Sequence, residues 1–187
     1  MNSTEKISVF VADHRSAVLT GLYQWFDSQE RYRVIGGAQN VDQLFAALSQ
    51  RPSDLIVMSS DLFDNDFVVL RELRRCLPYV PILIFTTIDE ANALRTVQSA
   101  GATGIISAKD EMKDFERVCS RVLSGAPGVM SQRVAAICGS APVEEAPAPE
   151  LVLRVEEAVR SFGANPPYQG VRISVRPGTQ RADSRQQ

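Results

Sequence analysis

The stretch Asp54-Leu-Ile-Val-Met-Ser-Ser-Asp61 decides the fold. Four consecutive apolar residues, Leu55 to Met58, end abruptly in hydroxyl and carboxylate side chains. An apolar run this short, bounded by polar residues, reads as a strand buried on both faces, and burial on both faces is the mark of a parallel sheet. Downstream, Phe67, Leu70, Leu73 and Leu77 recur at helical spacing. The unit is strand, polar end, helix.

The same unit repeats on either side. Ile7-Ser-Val-Phe-Val-Ala12 stops at Asp13, and Val18, Leu22, Trp25 and Phe26 then mark a helix whose aromatics belong to the core. Tyr32 to Ile35 is a second strand, expected to end at Gly36-Gly37. A helix follows with Asn40 as N-cap and Gln43 in the capping-box position, carrying Val41, Leu44, Phe45 and Leu48 on one face. Val80 to Phe85 is a fourth strand, after which Leu94 and Val97, with Ala93 and Ala100, form a helical stripe. Gly104-Ile-Ile106 is a fifth strand. The last helix of the series is expected to start from Asp110 as N-cap, to bury Phe115, Val118, Cys119 and Val122, and to stop at Gly125. Repeated strand–helix units predict an α/β fold: a doubly wound, five-stranded parallel sheet with helices on both faces. Polar chemistry in such sheets gathers beyond the carboxyl ends of the strands. Those ends are Asp13-His14, Ser59-Ser60-Asp61, Thr86-Thr87 and Ser107-Ala108-Lys109.

Composition narrows the function classes. In 187 residues, 44% hydrophobic and 22% charged content supplies a core and excludes a fully disordered chain. Twenty Lys and Arg against 22 Asp and Glu leave a net charge of -2, so the chain as a whole has no strong attraction for nucleic acid. No apolar run approaches the ~18 residues of a membrane span, and residues 1–6 lack a signal-peptide pattern, so a cytoplasmic protein with no membrane partner is expected. Cys76, Cys119 and Cys138 form no CxxC pair and read as reduced thiols. A single histidine, His14, argues against a zinc site and against a Ser–His–Asp triad.

The motifs Val9-Phe-Val-Ala-Asp13 with Gly21-Leu22, Asp54-Leu-Ile-Val-Met58, Pro81-Ile-Leu-Ile-Phe-Thr-Thr87 and Ala100-Gly-Ala-Thr-Gly-Ile-Ile106 together resemble the receiver (CheY-like) domain of bacterial response regulators, more closely the NarL/LuxR-type receivers. The resemblance covers about residues 6–125 and implies a flavodoxin-like strand order, 2-1-3-4-5. It also implies a chemistry. In the family an aspartate ending the third strand accepts a phosphoryl group from a histidine kinase. Two acids after the first strand help it hold Mg²⁺, a Thr or Ser ends the fourth strand, and a Lys ends the fifth.

This chain departs from that pattern. Asp13 matches the first acid, but His14 stands in the place of the second. Ser59 occupies the acceptor position, Phe63 replaces the usual following proline, and Ile105 replaces the switch aromatic. Thr86 matches the switch hydroxyl. Ala108 falls where the lysine belongs, with Lys109 one residue late. One carboxylate out of three makes a poor Mg²⁺ site, so a metal held by Asp13 is only weakly supported and no cofactor is expected. Asp61 shares a strand face with Ser59 but lies about 6–7 Å further along an ideal strand; a shifted loop or a bulge would be needed to bring it in. Lys109 would need a comparable shift. Otherwise Asp61, Asp64 and Asp66 read as a solvated loop capping the third helix. His14 reads as a loop histidine bonded to Asp13 or water, with a pH sensor as the alternative.

The expected organisation is a receiver-like domain over 1–125, a connector and Pro-rich linker over 126–150, and a helix–strand segment with a disordered tail over 151–187. Six of the ten prolines lie between Pro142 and Pro177. Leu151, Val155, Ala158, Val159 and Phe162 mark one helix, and Val171 to Arg176 alternates like a strand. One helix and one strand are too few for the DNA-binding half that NarL/LuxR-type regulators carry. DNA binding is therefore disfavoured, and Arg172, Arg176, Arg181 and Arg185 read as a solvated tail. The leading reading is a pseudo-receiver, not an enzyme, that works in two-component signalling or transcription regulation by protein contact. Its partner would be a response regulator, a histidine kinase or a second copy. The resemblance places partner contacts at about residues 89–124, represented by Leu94, Ile105 and Phe115. The alternatives are a NarL/LuxR-type transcriptional regulator with a reduced or lost DNA-binding domain, and a receiver phosphorylated on Asp61 with help from Asp13 and Lys109.

Overall fold

A computed structural model describes residues 6–63 and 67–139. The expected helix and strand beyond 150, and the loop carboxylates Asp64 and Asp66, lie outside the described residues.

Strands β1 (Ile7–Ala12), β2 (Tyr32–Ala38), β3 (Leu55–Ser59), β4 (Ile82–Thr86), β5 (Gly104–Ser107) and β6 (Val129–Met130) form one parallel sheet in the order β2-β1-β3-β4-β5-β6. Helices α1 (Ser16–Ser28), α2 (Val41–Leu48), α3 (Val68–Cys76), α4 (Ala91–Ser99), α5 (Met112–Leu123) and α6 (Gln132–Ile137) cover it. The doubly wound α/β fold and the order 2-1-3-4-5 are as expected from the sequence; a sixth strand is added. Alternation along the strands divides the core into two layers. Phe10, Ile56, Met58, Ile84 and Ile105 meet Leu44, Leu70, Leu94 and Val134 on one face. Val9, Val11, Val57, Leu83 and Ile106 meet Leu19, Phe26, Phe115 and Val118 on the other.

Asn40 caps α2 as expected, its Oδ1 accepting from Gln43 N at 2.9 Å, while Gln43 Oε1 accepts from Gln39 N at 2.9 Å. Gly125 follows α5 in a left-handed conformation, φ 80°, which ends the helix. Asp110 does not cap α5. Glu111 holds that position without a side-chain cap bond, and Asp110 instead accepts from Ser107 N at 2.9 Å and pairs with Arg133 at 3.1 Å.

Three further expectations are corrected. Gly36 and Gly37 continue β2 to Ala38 instead of ending it. The register against β1 shifts between Val9 and Phe10, and a Cβ on Gly36 would stand 3.0 Å from the Phe10 ring, so glycine here serves close approach. Residues 126–139, assigned to the connector, instead extend the domain. Val129 pairs with Gly104, Met130 pairs with Ile105, and Val134 and Cys138 enter the core. A two-residue strand is too short to show a period. Finally, Leu94, Ile105 and Phe115 cannot form a contact face, because all three are buried. The apolar stripe that marks a helix in the sequence is the face it turns inward.

Gly104 on β5 lies close against α5. An added Cβ would stand 2.5 Å from Val122 Cγ2 and 3.0 Å from Leu83 Cδ1, both buried. Val122 is β-branched and cannot step aside cheaply. Gly104→Ala is expected to lower stability by about 1–3 kcal/mol, read as an earlier urea midpoint.

Candidate functional site

The carboxyl ends of the four central strands bring Asp13, Ser59, Thr86 and Ser107 to one rim of the sheet. Asp13 follows β1 and is fully buried, its backbone N–H donating to Ala38 O at 3.0 Å. Its carboxylate is held by a residue the sequence reading missed. Arg15 donates from its backbone N to Oδ1 at 2.7 Å, from Nε to Oδ1 at 3.0 Å, and from Nη2 to Oδ2 at 2.9 Å. This is a two-pronged guanidinium–carboxylate pair, the strongest ordinary ion-pair geometry. Burial raises the Asp13 carboxyl, but the Arg15 side-chain and backbone hydrogen bonds, its charge and the Ser59 hydroxyl outweigh it. The group is held below the usual carboxylate range. His14 stands beside the pair, Nδ1 3.8 Å from Oδ1, with its ring half exposed.

Ser59 ends β3 and is buried; its Oγ accepts from Asp61 N at 3.1 Å. That bond starts a single 3₁₀ turn over Ser60–Leu62, so the chain turns directly after the strand. Asp61 is therefore not carried further along an ideal strand. It comes back towards Arg15, with Oδ2 3.5 Å from Nη2. Ser60 Oγ bonds to Thr86 Oγ1 at 2.8 Å, and Thr86 Oγ1 also accepts from Ile88 N at 3.0 Å. The Thr86 hydroxyl thus has two partners inside the molecule, and either hydroxyl of the Ser60–Thr86 pair can be the donor.

The structure brings Asp13 and Asp61 together around Arg15, with Ser59 against Asp13 and the Asp61 backbone and Thr86 bound to Ser60. Ala108 is exposed and takes part only through its backbone N–H, which donates to Thr86 O at 2.7 Å. Lys109 forms no ion pair with either carboxylate among the described residues. It lines a hollow with Thr87, Ser107, Asp110, Asp114 and Arg133.

The metal that the family resemblance implies does not fit this donor set. Both oxygens of Asp13 are engaged by Arg15, Ser59 offers a neutral hydroxyl, and His14 replaces an acid. Among the described residues, no group of three or more His, Cys, Asp or Glu side chains converges on a metal position.

A parallel order 2-1-3-4-5 with an aspartate after the first strand and a hydroxyl ending the fourth defines a receiver-type signalling fold. The chain belongs to the response regulator receiver domain family, whose model matches residues 9–118. It is 29% identical over 107 residues to the probable transcriptional regulatory protein SgaR of Hyphomicrobium methylovorum, covering 57% of this chain and 51% of that protein. The chain thus spans about half the length of the curated relative it matches. Among solved structures, it resembles a LuxR-family two-component response regulator from Aurantimonas sp. at TM-score 0.67 and 19% identity, covering 72% of this chain and 96% of the other. It also resembles RcsB of Salmonella enterica serovar Typhimurium bound to promoter DNA, at TM-score 0.66 and 16% identity, covering 72% and 67%. At these identities the two structures show the fold alone. The second binds DNA, so the sequence-based case against DNA binding gains no support from the comparisons. Among the described residues, no helix is long and apolar enough to cross a membrane.

Proposed function

We propose that this chain is an atypical response regulator, a pseudo-receiver that signals by protein–protein contact without aspartyl phosphorylation. The observation that carries the reading is Ser59 at the acceptor position beside an Asp13 whose two oxygens are already taken by Arg15. A serine hydroxyl is a far weaker nucleophile than a carboxylate and would give a stable phosphate ester, not a labile acyl phosphate. The carboxylate beside its hydroxyl is Asp13, which Arg15 holds below the usual carboxylate range and so makes a poor base, and the Ser59 Oγ already accepts from Asp61 N. Phosphoryl transfer also needs cationic stabilisation of the moving group. Arg15 spends its charge on Asp13 and Asp61, whose ion-pair partner among the described residues is not Lys109. The Ser60–Thr86 bond supports a fixed output state, since the hydroxyl that would follow a phosphoryl group already has its partners. The site chemistry fits signalling and not catalysis, and a cytoplasmic location belongs to the same proposal. Its partner is a response regulator, a histidine kinase or a second copy of this chain.

Incubation with a small phosphodonor and Mg²⁺, followed by intact mass, tests this. The expected result is an unchanged mass. An adduct of about 80 Da, the mass of a phosphoryl group, that disappears in Asp61→Ala would establish the rival reading of an active receiver.

A second reading is favoured by the name of the curated relative, a probable transcriptional regulator. In it the chain controls transcription and contacts DNA itself. Retention of a promoter fragment with a steep salt dependence would carry this reading. No binding at low salt would remove it.

A further inference from the structure

We propose that the Arg15 guanidinium is the resident counter-ion of this pocket, lying where a divalent cation shared by Asp13 and Asp61 would have to lie. This deepens the pseudo-receiver reading and rests on it only in treating the pocket as one that takes no phosphoryl group. Any cation bound by both carboxylates must sit between their oxygens. Arg15 Nη2 is there, 2.9 Å from Asp13 Oδ2 and 3.5 Å from Asp61 Oδ2, while Nε occupies the other Asp13 oxygen at 3.0 Å. The backbone N–H of Arg15 on the same oxygen, at 2.7 Å, fixes the residue that carries the guanidinium. A carboxylate as buried as Asp13 needs a positive partner to remain ionised, and Arg15 supplies it without recruiting one from solution.

The replacement changes what the pocket can do. A hexacoordinate cation leaves positions open for phosphate oxygens and exchanges with solvent. A guanidinium has five N–H groups in one plane, fixed directions and no open coordination site. The pocket therefore keeps its charge balance at any divalent cation concentration, and its conformation is uncoupled from cation and phosphoryl supply.

Thermal melting of the full chain with Mg²⁺ or Mn²⁺, against a monovalent salt of matched ionic strength, tests this. The wild type is expected to show no divalent-specific shift. Arg15→Gln frees both carboxylates and is expected to gain a rise of roughly 3–6 °C at a tenfold excess of cation over its dissociation constant. Adding Asp61→Asn to that variant should remove at least half of the gain. Should Arg15→Gln not fold alone, refolding from denaturant with and without Mn²⁺ is the readout, and recovery only with the cation supports the proposal. A wild-type shift as large as the variant's overturns it, as does an Arg15→Gln chain with no cation response in either measurement. These results are separable from phosphorylation: an adduct in the mass measurement would remove the pseudo-receiver reading whatever the cation response.

Discussion

Phe26→Ala is expected to cost about 3–5 kcal/mol, a large part of the ~5–15 kcal/mol that holds a typical domain. Phe26 is completely buried near the end of α1, at the point where that helix, β2 and α5 meet. Its ring packs edge-on against Trp25 at 4.8 Å, Tyr32 at 5.2 Å and Phe115 at 5.9 Å between centroids. Truncation removes three such pairings and leaves a cavity that neighbours from three elements cannot jointly fill. Trp25, the one tryptophan of the chain, reports the transition directly, since its ring touches both Phe26 and Phe115. A urea titration followed by its emission should show a lower midpoint with an unchanged slope. A loss under about 1 kcal/mol would mean that this cluster does not join α1 to α5 as described.

Arg15→Gln is the second large effect. It leaves Asp13 buried without its guanidinium, and breaking a fully enclosed pair costs about 3–5 kcal/mol. Arg15 is itself 37% exposed, so solvent recovers part of this and about 2–3 kcal/mol is expected near neutral pH. The sign of the pH dependence follows from the partners. In the wild type Asp13 is held below its ordinary value, so its contribution is complete above about pH 4 and is lost as the pH falls through the depressed value. In the variant burial acts without the guanidinium and the carboxyl rises. The deficit is therefore greatest at neutral pH and shrinks in acid, once a protonated Asp13 no longer needs a cation. Urea midpoints across the acid range check both statements; a deficit that grows in acid would contradict them.

What the sequence disclosed and what it hid have physical causes. Leu55 to Met58 and Ile82 to Phe85 were legible because strands buried on both faces must be apolar throughout. Asp13, Ser59 and Thr86 were legible because a strand's last residue is fixed by where the apolar run stops. Arg15 was not. Nothing in its spacing says that an arginine three residues after a strand folds back onto the carboxylate that follows the strand. Its position depends on the Arg15 backbone N–H bonding the same oxygen as its side chain. Asp61 was placed too far away because an ideal strand was extended past Ser59, where a local hydroxyl bond turns the chain at once. Leu94, Ile105 and Phe115 fail as a contact face for another reason. The resemblance names that face by its elements, and the apolar residues that mark those elements in the sequence are the ones turned inward.

In the proposed pseudo-receiver, this pocket is satisfied by its own side chains and does not answer to a phosphoryl group. Amide NMR spectra of the full chain, recorded with and without Mg²⁺ and the phosphoryl mimic beryllofluoride, test it most directly. Ser60, Thr86 and Ile88 report the hydroxyl pair, and Asp13 and Arg15 the ion pair. These signals are expected to stay in place. A saturable shift running from Ser59 through Thr86 to Ser107 would contradict it.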